Sequence, residues 1–443
     1  MNIKVDSRKV VKGDTFIALR SVNDGHQYIP DAIKNGAEMI ICEEGIYDVP
    51  TLIVPDTRQY LIEYLKLNYY SKIENLKLIG VTGTNGKTTS CFLLYQALNK
   101  LGIKCAYIGT IGFYIDDKVS DLNNTTPDIL EIYEMLLKCI DEGVKYVAME
   151  VSSHALDMHR VDGLEFDFAI FTNLTQDHLN YHKTMKNYAM AKQKLFKMLR
   201  KNGKSIVNMD DRYRRYFIDD DSITYGFKPS KYRISKYNIV NNESVFTVNN
   251  DPYKIKLLGK HNVHNMLNVI IVLTELKISK SKIKDIVSEL VAPPGRMDII
   301  HFNDNAIIVD YAHTPDAVEK IIKAVREFAK NNIYTIIGCG GNRDRTKRPI
   351  MAKIATDLSN YVIFTSDNPR SEDPNEIIKD MVDTLDNTNY EIEVNREKAI
   401  KKGIQKLTNN DILLLLGKGH ETYQIIGDKK IDFDDKKVVL DNL

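Results

Sequence analysis

The chain has 443 residues, of which 43% are hydrophobic and 27% charged, so it is long enough for two to four domains with separate cores. Its 61 Lys and Arg residues almost balance 60 Asp and Glu residues, which excludes a global field that attracts nucleic acid or a membrane surface. No apolar run or signal segment predicts a membrane span or export. Five scattered cysteines without a C-x-x-C pair fit reduced thiols, and we expect a cytoplasmic protein.

Short apolar runs alternate with amphipathic stretches along the chain, a pattern typical of parallel α/β sheets. A first block ends in the polar stretch from Asn68 to Asn75, and Lys77–Val81 is predicted to be a strand. Two prolines and a glycine within Ala292–Gly295 stop the preceding helix, and strand–loop–helix units recur from Ile307 onward. We therefore predict an α/β protein with three domains, which comprise residues 1–72, 73–293 and 294–443.

A glycine-rich loop, T-G-T-N-G-K-T, follows the strand at Lys77–Val81 and opens an apolar helix. Its glycines would let backbone N–H groups close around phosphate oxygens, and the helix dipole would favour an anion. Lys87 would reach the β- and γ-phosphates, while the Thr88 hydroxyl would ligate Mg²⁺. Val81 stands where the strict P-loop pattern has its first glycine, so a surface turn is the alternative. The predicted phosphate contacts are Gly83, Thr84, Asn85, Gly86, Lys87, Thr88 and Thr89.

Two later strands end in side chains that suit a metal. Glu150 ends the predicted strand V-A-M-E-V, and because an isolated buried charge is costly, we favour Mg²⁺ ligation over a structural salt bridge. The strand F-A-I-F-T-N-L runs into a loop that contains Asp177, His178 and His182. By their pattern alone, these histidines are as easily solvent-exposed as metal-binding.

Lys192 falls on the apolar stripe of a predicted helix, four residues after Tyr188. The pattern alone favours a lysine whose aliphatic stem packs while its amine reaches water. The stripe is predicted to consist of Met185, Tyr188, Ala189, Phe196 and Leu199.

A further helix begins within G-K-H-N-V-H-N-M-L and places Asn262 and Asn265 three residues apart, on one face. Side-chain amides suit adenine, which presents an N6 donor beside an N7 acceptor. Capping or surface asparagines are the more common interpretation of such a pair, so the residues alone leave the adenine contact open.

Three strand ends in the last block are predicted to meet at one crevice, where open α/β sheets bind ligands. A Gly-Gly pair directly after an apolar strand favours anion binding over a solvated face for the cationic loop Gly340, Gly341, Arg343, Arg345, Lys347 and Arg348. In the next loop, D-N-P-R, the Arg370 guanidinium can recognise a carboxylate with two parallel hydrogen bonds.

Together these motifs resemble the Mur ligase and folylpolyglutamate synthetase superfamily, and the chain is identified as a member of the Mur ligase family. The similar segments are T-G-T-N-G-K-T, M-E-V-S-S-H-A-L, N-L-T-Q-D-H-L-N-Y-H, P-G-R-M and D-Y-A-H-T-P. The resemblance implies a small N-terminal α/β uridine-nucleotide domain, a central P-loop ATPase-like parallel-sheet domain and a C-terminal Rossmann-like amino-acid-binding domain. Asn180 replaces a usual Asp, and Ser21 replaces a usual Gly.

The resemblance also assigns the nucleotide and metal site. It implies that Glu150, His178 and Thr88 surround Mg²⁺ together with Lys192, which would be carbamylated to N6-carboxylysine. Lys87, Glu150, His178 and Lys192 would form the catalytic set. The contacts with ATP beyond the phosphate loop would be Asn262 and Asn265 for adenine, Arg296 for phosphate and Asp310 for the ribose.

Two substrate sites follow from the same resemblance. D-N-P-R resembles the motif of family members that add meso-diaminopimelate, with Arg370 on its distal carboxylate and Glu421 on its distal amine. The implied amino-acid site comprises Arg345, Asp367, Asn368, Pro369, Arg370, Gly417 and Glu421. The implied site for the uridine diphosphate muramoyl dipeptide comprises Ser7, Asn124, Thr125, Thr126, Ser152 and Arg160.

The implied function is an ATP-dependent ligase, acting as a monomer, that joins meso-diaminopimelate to UDP-N-acetylmuramoyl-L-alanyl-D-glutamate through an acyl phosphate in peptidoglycan precursor synthesis. L-lysine or ornithine as the incoming amino acid is the nearest alternative. The D-S-R segment at residues 6–8 and D-N-P-R argue against a folate ligase. A GTPase switch lacks its N-K-x-D motif, and the intact Lys87 and Glu150 argue against an inactive paralogue.

Overall fold

The computed structural model describes residues 2–20 and 24–443, so Ser21 lies outside the described residues. The first sheet has four parallel strands, β1 (Ile3–Lys4), β2 (Thr15–Ile17), β3 (Met39–Cys42) and β4 (Thr51–Ile53). Its helices are α1 (Ile29–Lys34) and α2 (Thr57–Ile73), with short 3₁₀ turns at Ser7–Lys9 and Gly25–Tyr28.

Helix α2 continues into the polar stretch at which the first block is predicted to end. It begins after Asp56, whose carboxylate accepts the Gln59 N–H, a favourable N-cap. Leu61 and Leu65 are fully buried on its inner face, and this apolar stripe sustains the helix beyond Asn68. The polar stretch is therefore helical up to Ile73, and the domain boundary at residue 72 stays a prediction.

The central sheet has eleven strands. They are β5 (Lys77–Thr82), β6 (Cys105–Gly109), β7 (Gly112–Ile115), β8 (Asp117–Ser120), β9 (Tyr146–Glu150), β10 (Phe166–Phe171), β11 (Leu199–Asn208), β12 (Ile223–Gly226), β13 (Tyr232–Val240), β14 (Glu243–Val248) and β15 (Asp251–Ile255). Their order is β15-β14-β13-β12-β11-β10-β5-β9-β6-β7-β8. Because β5 pairs in parallel with both β9 and β10, the loops after these three strands meet at one edge of the sheet.

Helices cover both faces of the central sheet. They are α3 (Lys87–Lys100), α4 (Ile129–Asp141), α5 (Ser153–Asp157), α6 (Leu179–His182), α7 (Met185–Gln193), α8 (Lys260–Glu275) and α9 (Lys280–Glu289). Ile79 of β5 packs on one face with α3 and α8, whereas its neighbour Leu78 packs on the other face with α4. Successive side chains of β5 therefore point to opposite faces, as in any strand, and both faces are buried. Burial of these apolar surfaces stabilises the sheet.

The helix predicted through Lys192 is two elements. Helix α7 ends at Gln193, a 3₁₀ segment spans Lys194–Met198, and Leu199 begins strand β11. The ring of Phe196 lies 5.4 Å from that of Phe217, and the chain then enters the sheet beside β10. The predicted stripe was therefore wrong beyond Gln193, because pairing with β10 ends the helix.

The last sheet contains β16 (Asp298–Phe302), β17 (Asn305–Asp310), β18 (Ile333–Ile337), β19 (Tyr361–Phe364), β20 (Tyr390–Ile392) and β21 (Ile412–Leu416). Its order is β16-β17-β21-β18-β19-β20, and all its strands except β16 run parallel. The accompanying elements are α10 (Pro315–Arg326), α11 (Lys347–Leu358), α12 (Pro374–Val382), α13 (Arg396–Lys406), the hairpin β22 (Tyr423–Ile426) and β23 (Lys429–Asp432), and α14 (Asp435–Leu440). None of the helices in the described residues is long and apolar enough to cross a membrane.

Candidate active site

The loop between β5 and α3 is shaped by two glycines with positive φ. Gly83 has φ 149° and Gly86 has φ 86°, conformations that other residues rarely adopt. A Cβ atom on Gly83 would collide with Thr172 Oγ1, and one on Gly86 would lie 2.5 Å from Asn265 Oδ1. The loop therefore packs tightly against the ends of β10 and α8 and holds its amides at the start of α3.

Two lysine ammonium groups share one carbonyl acceptor in this loop. Lys87 Nζ donates to Gly83 O at 2.9 Å and to Thr84 O at 2.8 Å, and Lys192 Nζ donates to the same Gly83 O at 2.8 Å. Lys192 is only 1% exposed, so the interpretation that its amine reaches water was wrong. Burial, reinforced by the Lys87 charge, holds the pKa of Lys192 well below its usual value.

Glu150 is fully buried and is surrounded by hydrogen-bond donors rather than cations. Its Oε2 accepts from Thr88 Oγ1 at 3.0 Å, and its Oε1 accepts from Tyr107 OH at 2.5 Å. Thr110 donates through its amide at 2.9 Å and its hydroxyl at 3.1 Å. Within residues 2–20 and 24–443 no ion pair satisfies this carboxylate, which removes the structural salt bridge as an explanation.

The histidine loop lies beside the same lysines. The ring of His178 lies 3.3 Å from the Asp177 carboxylate and its centroid 4.7 Å from that of His154. Burial lowers the pKa of His178 to about 3 although Asp177 opposes the shift, which favours the neutral imidazole, the form in which histidine binds a metal. His182 is buried and hydrogen-bonded to Ser153 Oγ at 2.9 Å, so it is not a surface histidine.

The oxygen donors suit Mg²⁺ carried by a nucleotide. Thr88 and Glu150 line one cavity together with His178. The described part of the chain contains no group of three or more His, Cys, Asp or Glu side chains arranged to hold a metal alone. Mg²⁺ usually takes one or two carboxylates and completes its shell with water and phosphate oxygens, so this small donor set fits such an ion.

A larger cavity of about 490 Å³ lies between the phosphate loop, α8 and the last sheet. Asn262 and Asn265 line it on one face of α8, and Asn265 Nδ2 donates to Asn262 Oδ1 at 3.1 Å. Arg296 and Asp310 line its other side. The volume is within the range of small-molecule sites, and asparagine amides, a guanidinium and a carboxylate face it.

Arg296 links the last sheet to the phosphate loop. Arg296 Nη2 donates to Thr88 Oγ1 at 3.2 Å, and its guanidinium stacks 4.6 Å from the Tyr311 ring centroid. The Asp310 carboxylate accepts from the Met297 and Ala312 amides at 2.8 Å each. Burial raises the pKa of Asp310 although Arg296 opposes it. Arg296 thus connects the chain after β17 to the start of α3, whereas Asp310 binds backbone amides on either side of β16 and β17.

A second cavity of about 270 Å³ brings the phosphate loop, the metal donors and the D-N-P-R loop together. Asp367 and Glu421 contribute carboxylates to its wall, while Arg343 and Arg370 contribute guanidinium groups. Neither arginine forms an ion pair within the described residues. Beside the D-N-P-R loop the wall therefore offers two guanidinium groups and two carboxylates. The other Lys, Arg, Asp and Glu side chains of the lining are Lys87, Glu150, Asp177, Arg296 and Lys347.

Arg370 adopts a left-handed backbone conformation, with φ 55°, which is unusual for a residue with a long side chain. The β22–β23 hairpin holds it there, because its amide donates to Ile425 O at 3.0 Å and its carbonyl accepts from Gly427 N at 2.7 Å. Its guanidinium donates to Gly341 O at 2.8 Å.

Family models match two long segments of the chain. The model described as Mur ligase middle domain matches residues 81–273, and the one described as Mur ligase, glutamate ligase domain matches residues 295–419.

The chain belongs to the Mur ligase family.

Curated relatives match along nearly the whole chain. UDP-N-acetylmuramoyl-L-alanyl-D-glutamate–2,6-diaminopimelate ligase of Clostridium perfringens is 42% identical and covers 100% of this chain and 94% of its own. The ligase of the same name from Fusobacterium nucleatum is 43% identical over 98% of this chain and 92% of its own. A solved structure of a ligase with this name is 33% identical, with a TM-score of 0.69, over 99% of this chain and 94% of that one. These matches confirm the predicted family and its α/β fold.

Two arginines of the cationic loop have different surroundings in this Mur ligase. Arg345 is exposed, and its Nε and Nη2 donate to the Asp380 carboxylate at 2.9 and 3.0 Å. Arg343, two residues earlier, lines the smaller cavity instead. Asp380 lies on α12, so Arg345 is held against that helix. We therefore add Arg343 to the proposed amino-acid site, and the role of Arg345 stays a prediction.

The residues predicted for the muramoyl dipeptide are only partly brought together. Thr125 and Ser152 line the smaller cavity, and Thr126 is buried behind it, donating to Glu150 O at 2.8 Å. Ser7, Asn124 and Arg160 are absent from the walls of both cavities, as is Pro369 of the amino-acid set. Their roles stay predictions.

Sequence reasoning missed several residues of this Mur ligase site. Tyr107 and Thr110 hold Glu150 from the neighbouring strand β6 and the loop after it. Lys347 was placed in the cationic loop, but its pairing with Asp177 was missed: the two lie 3.6 Å apart, and both are nearly buried. The only available signal was their position directly after apolar strands or beside the Gly-Gly pair, which does not tell which side chain faces inward.

Proposed function

We propose that this Mur ligase uses ATP to join meso-diaminopimelate to UDP-N-acetylmuramoyl-L-alanyl-D-glutamate in peptidoglycan precursor synthesis. The observation that carries the proposal is the smaller cavity, in which the phosphate loop and Glu150 face Arg343, Arg370 and Glu421. The names of the two relatives, from Clostridium perfringens and Fusobacterium nucleatum, specify the same substrates and support the proposal.

The charged groups of this cavity that lie beside the D-N-P-R loop favour an incoming amino acid with two acidic and two basic groups. Arg343 and Arg370 suit two carboxylates, because a guanidinium holds a carboxylate with paired hydrogen bonds. Asp367 and Glu421 suit ammonium groups. L-lysine has one carboxylate only, so one guanidinium would stay without a partner in a confined cavity, and leaving a desolvated cation unpaired is costly.

ATP is proposed to bind across both cavities. Its adenine would lie at Asn262 and Asn265, its ribose at Asp310, and its phosphates at the loop from Gly83 to Thr89. Lys87 would stabilise charge on the γ-phosphate, and Arg296 would contact a phosphate oxygen. Thr88 and Glu150, with His178, would hold Mg²⁺, whose positive charge screens the phosphate oxygens against an approaching carboxylate.

The reaction is proposed to take place in two transfers. The D-glutamate γ-carboxylate attacks the γ-phosphorus, the bond to the bridging oxygen breaks, and ADP leaves with that electron pair. The amine of the second substrate then attacks the acyl carbon, loses a proton, and phosphate departs as the amide forms. Activation is needed because a carboxylate itself is a poor electrophile. Glu421 and the two arginines position the amine, which lowers the entropic barrier of the second transfer.

We also propose that Lys192 carries a carbamate. Two ammonium groups on the Gly83 carbonyl repel each other, and burial with Lys87 nearby lowers the pKa of Lys192. A neutral amine attacks the carbon of CO₂ and releases one proton, which leaves an anionic carbamate. The change replaces repulsion with attraction to Lys87 and supplies another oxygen donor for Mg²⁺.

Three domains are proposed with the boundaries predicted from the sequence, at residues 1–72, 73–293 and 294–443. Each range contains one principal sheet, which supports the division. The first domain would bind the uridine nucleotide through Ser7, and the muramoyl peptide would then extend along Asn124, Thr125, Thr126, Ser152 and Arg160.

The test is amino-acid-dependent ADP release by the purified protein. With ATP, Mg²⁺ and UDP-N-acetylmuramoyl-L-alanyl-D-glutamate present, meso-diaminopimelate should give kcat/KM at least about a hundredfold above that for L-lysine, the discrimination expected when one charged hydrogen-bonded contact is lost. Omission of the dipeptide nucleotide is the control. A preference for lysine would refute the proposed specificity, and no amino-acid-dependent ADP release would refute the ligase proposal itself.

A further inference from the structure

Lys418 lies directly behind the proposed amino-acid site. It follows β21, and its side chain is fully buried. The wall of the smaller cavity includes its neighbours Gly417 and Glu421 but not Lys418 itself. A lysine is rarely buried to this degree unless its charge is paired, so its contacts indicate what it is for.

The Lys418 ammonium binds three acceptors from different parts of the site. Nζ lies 3.0 Å from Glu421 Oε2 and 3.4 Å from Asn368 Oδ1, and it also donates to the Tyr423 carbonyl. Asn368 in turn donates through Nδ2 to the same Glu421 oxygen at 2.8 Å. One buried cation thus ties the G-K-G-H-E loop, the D-N-P-R loop and the start of the β22–β23 hairpin together.

Glu421 would be hard to keep ionised without this cation. Burial raises the pKa of Glu421 and the nearby Asp367 carboxylate raises it further, whereas Lys418 lowers it. The other charged or titratable groups that face Glu421 are Arg343, Arg396, Tyr311 and Tyr423. Of these neighbours, Lys418 is the one that makes direct ion-pair contact with the carboxylate in the described residues.

We propose that Lys418 is a positioning residue for amino-acid binding, which pairs with the Glu421 carboxylate and holds it oriented toward the ammonium group of the incoming substrate. It acts through Glu421 and Asn368 and does not touch the substrate. This inference rests on the proposed function, because it needs an amine-bearing substrate in the smaller cavity.

The test compares Lys418→Met and Lys418→Gln with the wild-type protein in the ADP-release assay. The Gln variant keeps a donor for the Tyr423 carbonyl, so it preserves the loop if the Met variant does not fold. Both substitutions should raise KM for meso-diaminopimelate at least tenfold and leave KM for ATP within twofold. The matched control is Lys430→Met, because Lys430 is exposed and lies over the Tyr423 ring, at 3.9 Å, without contacting Glu421.

Two further measurements separate positioning from a merely structural role. In a Glu421→Gln background, replacing Lys418 with Gln should add less than twofold to KM, since both changes remove the same interaction. In the Lys418→Gln single variant, KM should rise more steeply than in the wild type as pH falls, because Glu421 then takes up a proton at a higher pH.

An unchanged KM in the folded Gln variant, or full additivity with Glu421→Gln, would overturn the role of Lys418. Absence of diaminopimelate-dependent turnover in the wild type would instead refute the proposed function, so the two failures are distinguishable.

Discussion

The phosphate loop and the D-N-P-R loop both follow a buried parallel strand, but they reach their conformations differently. In the phosphate loop, Gly83 and Gly86 themselves adopt the positive φ that the turn needs. In the D-N-P-R loop a residue with a long side chain, Arg370, takes the left-handed conformation, and the Ile425 carbonyl and the Gly427 N–H, 55 and 57 residues later, hold it there. Local residue chemistry therefore specifies the first loop, whereas long-range contacts specify the second.

The largest effect is expected at the phosphate loop. Lys87→Ala should lower kcat for ADP formation roughly a thousandfold, because it removes a preorganised cation from the γ-phosphate. Steady-state kinetics with saturating ATP measure the loss. Lys100→Ala, at the exposed far end of α3 in an ion pair with Glu289, is the control and should keep full activity. Unchanged turnover in Lys87→Ala would remove the loop from the mechanism.

A somewhat smaller loss is expected where the phosphate loop meets α7. Lys192→Ala should lower kcat roughly a hundredfold, because a proposed metal-binding carbamate is lost. Short carboxylic acids added in solution should restore part of the activity by supplying the missing oxygen donor. Lys197→Ala, an exposed lysine five residues later, should behave like the wild type. A fully active Lys192→Ala enzyme would rule out the carbamate.

Two arginines of the cationic loop, Arg343 and Arg345, test how the amino acid is bound near the D-N-P-R loop. Arg343→Ala should raise KM for meso-diaminopimelate about 10- to 100-fold, the effect of losing a charged hydrogen bond. Arg345→Ala should change KM less than about twofold, because an exposed pair with Asp380 contributes little. Initial rates at varied amino-acid concentration measure both. The reverse order of effects would support Arg345 rather than Arg343 as the substrate contact.

The smallest expected effect is a change in the free energy of unfolding, caused by Asp210 on the nucleotide-binding side of the protein. Burial opposes ionisation of Asp210, but hydrogen bonds from His264 and the Phe227 and Lys228 amides lower its pKa to about 2. Ionised Asp210 therefore stabilises the fold above its unfolded pKa of 3.8, and this contribution is lost as pH falls toward 2.

Asp210→Asn should cost about 1 kcal/mol at neutral pH and should lose less stability than the wild type between pH 4 and pH 2. Urea unfolding at several pH values measures the difference. Asp220→Asn, at an exposed position nearby, controls for net charge. Equal acid sensitivity of the Asp210→Asn variant and the wild type would contradict the linkage.

Much of the fold was predictable because its signals are local. The strand predicted at Lys77–Val81 is observed as Lys77–Thr82, and the helix that begins near Asn262 is observed as α8. Glu150 lies at the end of its strand as predicted. The helix through Lys192 was extended too far, because strand pairing overrides the local pattern in that segment.

The candidate site was predictable by residue type and only partly by orientation. Lys192 was recognised as important, but its pattern fitted an amine that reaches water, whereas the fold buries it against Gly83. The cationic loop was recognised as an anion site, but sequence could not tell Arg343 from Arg345. Such choices depend on which neighbouring element captures a side chain, and those elements lie far away along the chain.

The sequence by itself determined the family, the α/β class and the phosphate loop. Glycine conformations, strand periodicity and motifs depend on residues that are close together in the chain, so the sequence shows them directly. Tertiary structure alone decided which cation faces the smaller cavity, which donors surround Glu150, and that Lys418 lies behind Glu421. The physical reason is that burial and charge pairing are properties of the space between elements, and that space forms only when the three sheets and their loops come together.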